Sequence, residues 1–343
     1  MKMLSVALLL SCVAACSTLF AQTAIPTLTS PNGQIEMNFA LSPAKGAAAS
    51  DGGQLTYSVS YHGKPVIEAS PMGLELDLEP ALGSHVVLKD AKAGSGADEY
   101  RLANSKVSQV KDAYRALTLT VAEPGSEYTA RTLVVEARAY DSGVAFRYVV
   151  PRQFGISSLH VRGEATEFRF AEDDPIWTLE LPNYRSSYEA EYVPLTISAL
   201  GNQGGVASHI LVGMPLLLHQ PGVAWISLME SDLEGNSAMY VTNASGGWIG
   251  HTLNVLLSPR WDEPHEAVTG DLPHHSAWRV LNVADTPGEL AESNLVTDLS
   301  PANRISDTSW IKPGKASWNW WSDNIDNEGR SGDANFTTAT MEE

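Results

Sequence analysis

The chain has 343 residues, of which 43% are hydrophobic and 18% charged; that is enough apolar material for one large or two ordinary packed domains, and it excludes a disordered chain. Its 22 Lys and Arg stand against 40 Asp and Glu, a net charge of -18, which disfavours nucleic acid and anionic lipid as partners. No stretch after residue 25 approaches the roughly 20 apolar residues needed to cross a bilayer.

Residues 1–21 read as a secretory signal: Lys2, the apolar run Met3 to Leu10, then small residues. Two processing sites compete. Val13-Ala14-Ala15-Cys16 has the form of a lipobox, with Cys16 as the lipidated residue, while Ala21 can end an ordinary signal. The only cysteines are Cys12 and Cys16, so no disulfide is expected in the mature chain, and a large core must stabilise it instead. The expected location is periplasmic or attached to an outer membrane.

From Leu28 to about Val283 the pattern is of short alternating runs broken by Gly, Pro, Asn and Asp, which predicts an antiparallel β protein with few helices, a domain taken as residues 25–300. Gln34 to Leu41, Leu55 to Tyr61 and Ala116 to Val121 are examples. Thr132 to Tyr140, Asp141-Ser142-Gly143 and Val144 to Val150 predict a hairpin, with Gly143 free to take the positive φ of a tight turn. Leu133, Val135, Ala137 and Ala139 share one face by period two, and that face is expected to be buried. So many strands predict a large two-sheet antiparallel sandwich. Ser42 to Gly53 and Asp90 to Ala97, rich in small and polar residues, read as surface loops.

The character changes near residue 284. Thr286-Pro287-Gly288-Glu289 opens a predicted short helical segment through Leu295, and Ser300-Pro301 ends the β region. Residues 301–343 then read as a linker, a Trp-rich strand from Ala316 to Ser322, a polar loop, and a helix start at Thr337. Strand, loop and helix make one βα unit, which cannot cover its own strand on both faces.

Three segments together resemble glycoside hydrolase family 97: Asp141-Ser142-Gly143-Val144-Ala145-Phe146-Arg147-Tyr148, Ser276-Ala277-Trp278-Arg279-Val280, and above all Thr308 to Trp321 (TSWIKPGKASWNWW). The resemblance implies a mutarotase-like super-sandwich over residues 25–300, followed over 301–343 by the first βα unit of a truncated catalytic (β/α)8 barrel. It implies a secreted, calcium-dependent, exo-acting α-glucosidase or α-galactosidase acting on an α-linked oligosaccharide or α-glycoside. The family's catalytic carboxylates would fall on later barrel strands. Glycoside hydrolysis needs two carboxylates flanking the scissile bond, so residues 1–343 alone are not expected to turn over.

Within the sandwich, the resemblance points to Glu189, and second to Glu191, in Asn183 to Tyr192 as carboxylates that reach toward the barrel and ligate calcium; solvated loop acids are the alternative. Calcium takes about six to eight oxygens, so one such ligand binds only weakly. Trp318, Trp320 and Trp321, with Asn319 beside them, fall at the end of the presumed first barrel strand, where sugar contact and core packing are both open readings. Trp318 and Trp320 share one side of that strand and Trp321 the other.

Other clusters carry less. Asp323 to Asn335 fails the EF-hand register, with Asn at both positions one and twelve. His265, Glu266, Asp271, His274 and His275 do not make HExxH and read as a surface loop rather than a zinc site. Lys312-Pro313-Gly314-Lys315 reads as a turn, and Arg147, Trp278 and Arg279 as structural residues. A non-catalytic carbohydrate-binding sandwich is the rival reading of the whole chain.

Overall fold

The computed structural model describes residues 25–43, 52–77, 80–102, 105–200, 210–243 and 251–315, and the backbone alone of residues 202–203 and 206–207. The core of the molecule is a long curled sheet in the spatial order Glu167–Phe170, His251–Leu257, Met239–Thr242, Leu211–Gln220, Ala224–Ser231, Trp278–Ala284, Gly143–Val150, Thr132–Tyr140, Gln109–Ala122 and Val87–Arg101. Pro175–Leu181 branches from it, pairing antiparallel with Leu211–Gln220 and with Tyr192–Thr196. A four-stranded sheet (Leu28–Thr29, Ile35–Pro43, Gly53–Tyr61, Lys64–Pro71) and a three-stranded sheet (Val268–Gly270, Leu159–Glu164, Leu74–Leu76) complete the β structure that positions the site.

The layers meet in one continuous apolar core. Met37, Leu55 and Tyr57 from the four-stranded sheet and Leu74, Leu159 and Val161 from the three-stranded one join Leu119, Val135, Phe146, Leu228 and Leu281 of the long sheet. Tyr57 fixes the contact, its ring 5.1 Å from that of Phe146 and 6.4 Å from that of Phe168, while its hydroxyl donates to the Glu167 carbonyl at 2.8 Å. The large antiparallel β-sandwich expected from the sequence is present.

The expected hairpin is found, Thr132–Tyr140 against Gly143–Val150, with Gly143 opening the second strand opposite Tyr140 rather than lying in the turn. Leu133, Val135, Ala137 and Ala139 are all buried, because period-two alternation sends them to one face. Gly143 serves packing. A Cβ there would collide with the Leu281 carbonyl oxygen and lie 2.9 Å from Asn282 Cα of the neighbouring strand.

The expected helical segment is broken in two, Pro287–Glu292 and Leu295–Asp298. Thr286 caps the first, accepting from Glu289 N at 3.4 Å, while Glu289 Oε2 accepts from the N–H of Asp285, the residue before the cap, at 3.1 Å. Leu295 and Leu299 from the second pack on Tyr140, Ala145, Trp278 and Val280, covering the outer face of the long sheet.

Asp90 to Ala97 is not a loop: it lies inside Val87–Arg101, the last strand of the long sheet. Ala, Gly and Ser there have too little side chain to write an alternating pattern, while the backbone ladder forms regardless. Residues 301–315 contain no helix or strand. No helix among the described residues is long and apolar enough to cross a membrane.

Candidate functional site

The segment carrying Glu189 and Glu191 connects Pro175–Leu181 to Tyr192–Thr196, with Leu179 opposite Tyr192. It is an excursion at the end of a hairpin, and tyrosines tie it down. The Tyr184 ring meets Tyr240 edge-on at 5.1 Å, and Tyr188 packs 6.3 Å from the same ring. Tyr240 belongs to an apolar cluster with Leu179, Leu181 and Leu211 on which Tyr184 rests. The Tyr192 hydroxyl donates to the Pro215 carbonyl at 3.1 Å. Asn183 Oδ1 accepts from Arg185 N at 2.8 Å, an Asx turn that starts the excursion.

Tyr188 holds φ at +63°, a left-handed conformation costing about 1–2 kcal/mol for an L-residue. Its surroundings compensate: the ring lies over Gly213, where a Cβ would stand 2.9 Å from Tyr188 Cε1. Partial burial, and then the hydrogen bond with Tyr240, pushes the Tyr188 hydroxyl well above its ordinary value. Burial likewise raises Tyr184 and Tyr192. These rings are neutral anchors at any physiological pH.

Past this anchored tyrosine, Glu189 and Glu191 are exposed and engage no hydrogen bond or ion pair among the described residues. Two carboxylates on a fixed backbone suit a hard divalent cation, and no arginine or lysine among the described residues pairs with them. They provide only part of the six to eight oxygens that calcium takes. Their donor chemistry therefore fits a shared calcium site and does not fit a self-sufficient one.

A second group of polar residues is buried inside the sandwich. Arg279, 2% exposed, is paired with Glu164, 1% exposed, through Nη2 to Oε1 and through Nε at 3.1 and 3.2 Å. Its Nη1 reaches Glu230 Oε2 at 3.3 Å, which also accepts from Met239 N at 2.8 Å. Thr166 donates to Glu164 at 3.0 Å, and Tyr148 joins Thr166 at 2.6 Å. Burial pushes the Glu230 carboxyl above its ordinary value, with Arg279 opposing. The charged groups of this chain of contacts engage one another, so it reads as a structural strut. The same holds for Arg147, which bridges Glu136 at 2.7 Å and Asp232 at 3.2 Å while lying 4.6 Å above the Trp278 ring. Both arginines pair with acids, the arrangement expected of arginines on strands, and Trp278 is buried.

Trp318, Asn319, Trp320, Trp321 and the acids from Asp323 to Asp333 lie outside the described residues. The histidine-rich stretch is more ordered than a surface loop. His274–His275 forms a short strand against Val149 and Val150, and His274 Nε2 lies 3.1 Å from Asn236 Oδ1. Glu266 turns away from these histidines to His160, a partner that no sequence spacing announces.

A model of the "Glycosyl-hydrolase 97 N-terminal" family matches residues 28–301. The "Retaining alpha-galactosidase" of Bacteroides thetaiotaomicron is 26% identical over 93% of this chain and 47% of its own length. A "Probable retaining alpha-galactosidase" of Streptomyces bingchenggensis is 31% identical over 78% of this chain and 38% of its own. Among solved structures, a glycoside hydrolase family 97 enzyme from Pseudoalteromonas sp. strain K8, in complex with panose, superposes with a TM-score of 0.74 at 24% identity, covering 88% of this chain and 42% of that one. The chain thus spans less than half the length of the curated relatives it matches.

Proposed function

The chain belongs to glycoside hydrolase family 97 and carries its N-terminal domain, and from this premise we propose that it serves a secreted, calcium-dependent α-glycosidase. In this reading the sandwich packs beside a catalytic (β/α)8 barrel of the same polypeptide and closes one side of the sugar pocket. Trp318, Trp320, Trp321 and Asn319 contribute to the sugar-facing mouth of that barrel. The protein acts outside the cytoplasm, in the periplasm or on the outer membrane, through the signal at residues 1–21 or a lipid at Cys16.

The observation that supports it most is the excursion at residues 182–191. Three tyrosines hold its backbone, and the two carboxylates they present are unpaired among the described residues. Glu189, with Glu191 second, would hold calcium together with oxygens from the barrel. Bound calcium supplies a fixed positive charge that orients and polarises oxygen atoms near it. The tyrosines keep the carboxylates in place before the ion arrives, so that little ordering cost remains at binding.

The names of the curated relatives favour an α-galactoside as substrate; the panose complex keeps an α-glucoside in view as the second reading. The test is to isolate the native protein from cells that express it and to assay p-nitrophenyl α-galactoside and α-glucoside. Turnover of one of them, removed by chelator and restored by calcium, is expected. A native protein that turns over neither substrate, or is indifferent to chelator, contradicts the reading.

A further inference from the structure

Asp77, His160 and Glu266 come from three sequence-distant segments and meet on the three-stranded sheet. Their potential ligand atoms all lie within 4.8 Å of one another. The sheet ladder brings them there: Val161 is paired with Leu76 on one side and with Val268 on the other. Asp77 N donates to the His160 carbonyl at 3.3 Å and Ala267 N to the Val161 carbonyl at 2.8 Å. The three side chains therefore leave adjacent points of a hydrogen-bonded frame rather than a mobile loop.

We propose that Asp77, His160 and Glu266 form a binding site for a borderline transition-metal cation, with Zn2+ the expected occupant. His160 Nδ1 lies 2.7 Å from Glu266 Oε1 and 3.7 Å from Asp77 Oδ2. In a tetrahedral zinc site with bonds of about 2.0–2.2 Å the donors sit about 3.3–3.6 Å apart. The two observed distances straddle that range, so small side-chain rotations suffice. The side chains are 39%, 50% and 17% exposed for His160, Asp77 and Glu266, which leaves a fourth position open to water.

The neighbouring groups agree with this. His160 Nε2 is 3.1 Å from Ser158 Oγ. When Nδ1 gives its lone pair to the metal, the imidazole proton resides on Nε2, and Ser158 is placed to accept it, the usual way a ligating ring is oriented. Two arginines lie beside the group: Arg162 Nε is 3.9 Å from Asp77 Oδ1, leaving Oδ2 for the metal, and Arg260, close enough to Glu266 to interact with its charge, is engaged by Asp262 and Thr269. One imidazole with two carboxylates selects zinc-like ions over calcium, which takes about six to eight oxygens. Bound metal would clasp the segments around residues 77, 160 and 266 together and stiffen the three-stranded sheet. This site shares no residue with the calcium loop, so its failure would leave the proposed function standing.

The experiment strips the untagged chain with chelator and titrates Zn2+ by calorimetry, with Co2+ as a visible-absorption probe. We expect one equivalent bound, the intense d–d absorption of four-coordinate cobalt, and a raised unfolding temperature. Affinity should fall ~10-fold or more in His160→Gln and in Asp77→Asn, while His275→Gln binds like the parent. Asp77 is half exposed, so its variant keeps the test intact should the His160 variant misfold. Absence of binding, unchanged affinity in both variants, or displacement of cobalt by millimolar calcium would overturn the proposal.

Discussion

The ring of Tyr188 rests on the backbone of Gly213 so closely that a β-carbon on Gly213 would lie 2.9 Å from Tyr188 Cε1 and 3.1 Å from Leu181 Cδ1. Residue 213 has no side chain because the tyrosine needs the space. This contact joins the sheet to the excursion that presents Glu189 and Glu191.

Gly213→Ala should therefore displace the Tyr188 ring and release its left-handed backbone. The overpacking is expected to cost about 1–3 kcal/mol, seen in urea unfolding. Limited proteolysis between residues 183 and 191 should accelerate in parallel. Parental stability together with an unchanged cleavage rate would show that the tyrosine does not anchor the loop.

Arg279 is the only cation facing the buried carboxylates of Glu164 and Glu230 among the described residues. Arg279→Met leaves Glu164 charged and dry, and should lower stability by about 3–5 kcal/mol at neutral pH. Pairing it with Glu164→Leu should recover most of that loss, because the uncompensated charge goes with it. A single variant as stable as the parent would mean that the strut contributes nothing.

Glu230 gives a pH dependence of defined sign. Burial, opposed by Arg279, raises its folded pKa above the ordinary 4.5, so the folded state holds the proton more tightly than the unfolded one. The stabilisation linked to that proton is complete below the unfolded value and is lost as pH rises through the folded one. Glu230→Gln cannot titrate and keeps its acceptor for Met239 N. Its stability relative to the parent should improve between pH 4.5 and pH 7 in paired urea titrations, and a relative decline would reverse the assignment.

Local chemistry was legible in the sequence. The hairpin around Asp141-Ser142-Gly143 and the helix start at Thr286-Pro287-Gly288-Glu289 each have their cause within a few residues, and the buried face of Thr132–Tyr140 follows from alternation alone. Asp90 to Ala97 was illegible because small side chains write no period into a strand that the ladder still forms. The contacts that build sites were hidden for another reason. Glu164 meets Arg279 across 115 positions and His160 meets Glu266 across 106, and only the pairing of distant strands brings them together. Glu189 and Glu191 could be singled out by family resemblance, whereas the tyrosines on Tyr240 and Gly213 that hold them required the fold.

The central claim is that the anchored loop gives a carboxylate to calcium in an α-glycosidase. It is tested most directly by placing Glu189→Gln and Glu191→Gln in the chromosomal copy and measuring, on the native protein, the calcium concentration that half-restores α-glycoside hydrolysis after chelation. The account predicts a rise of ~10-fold or more for Glu189→Gln, since losing a charged ligand weakens a calcium site steeply, and a smaller rise for Glu191→Gln. Parental calcium dependence in both variants would contradict it.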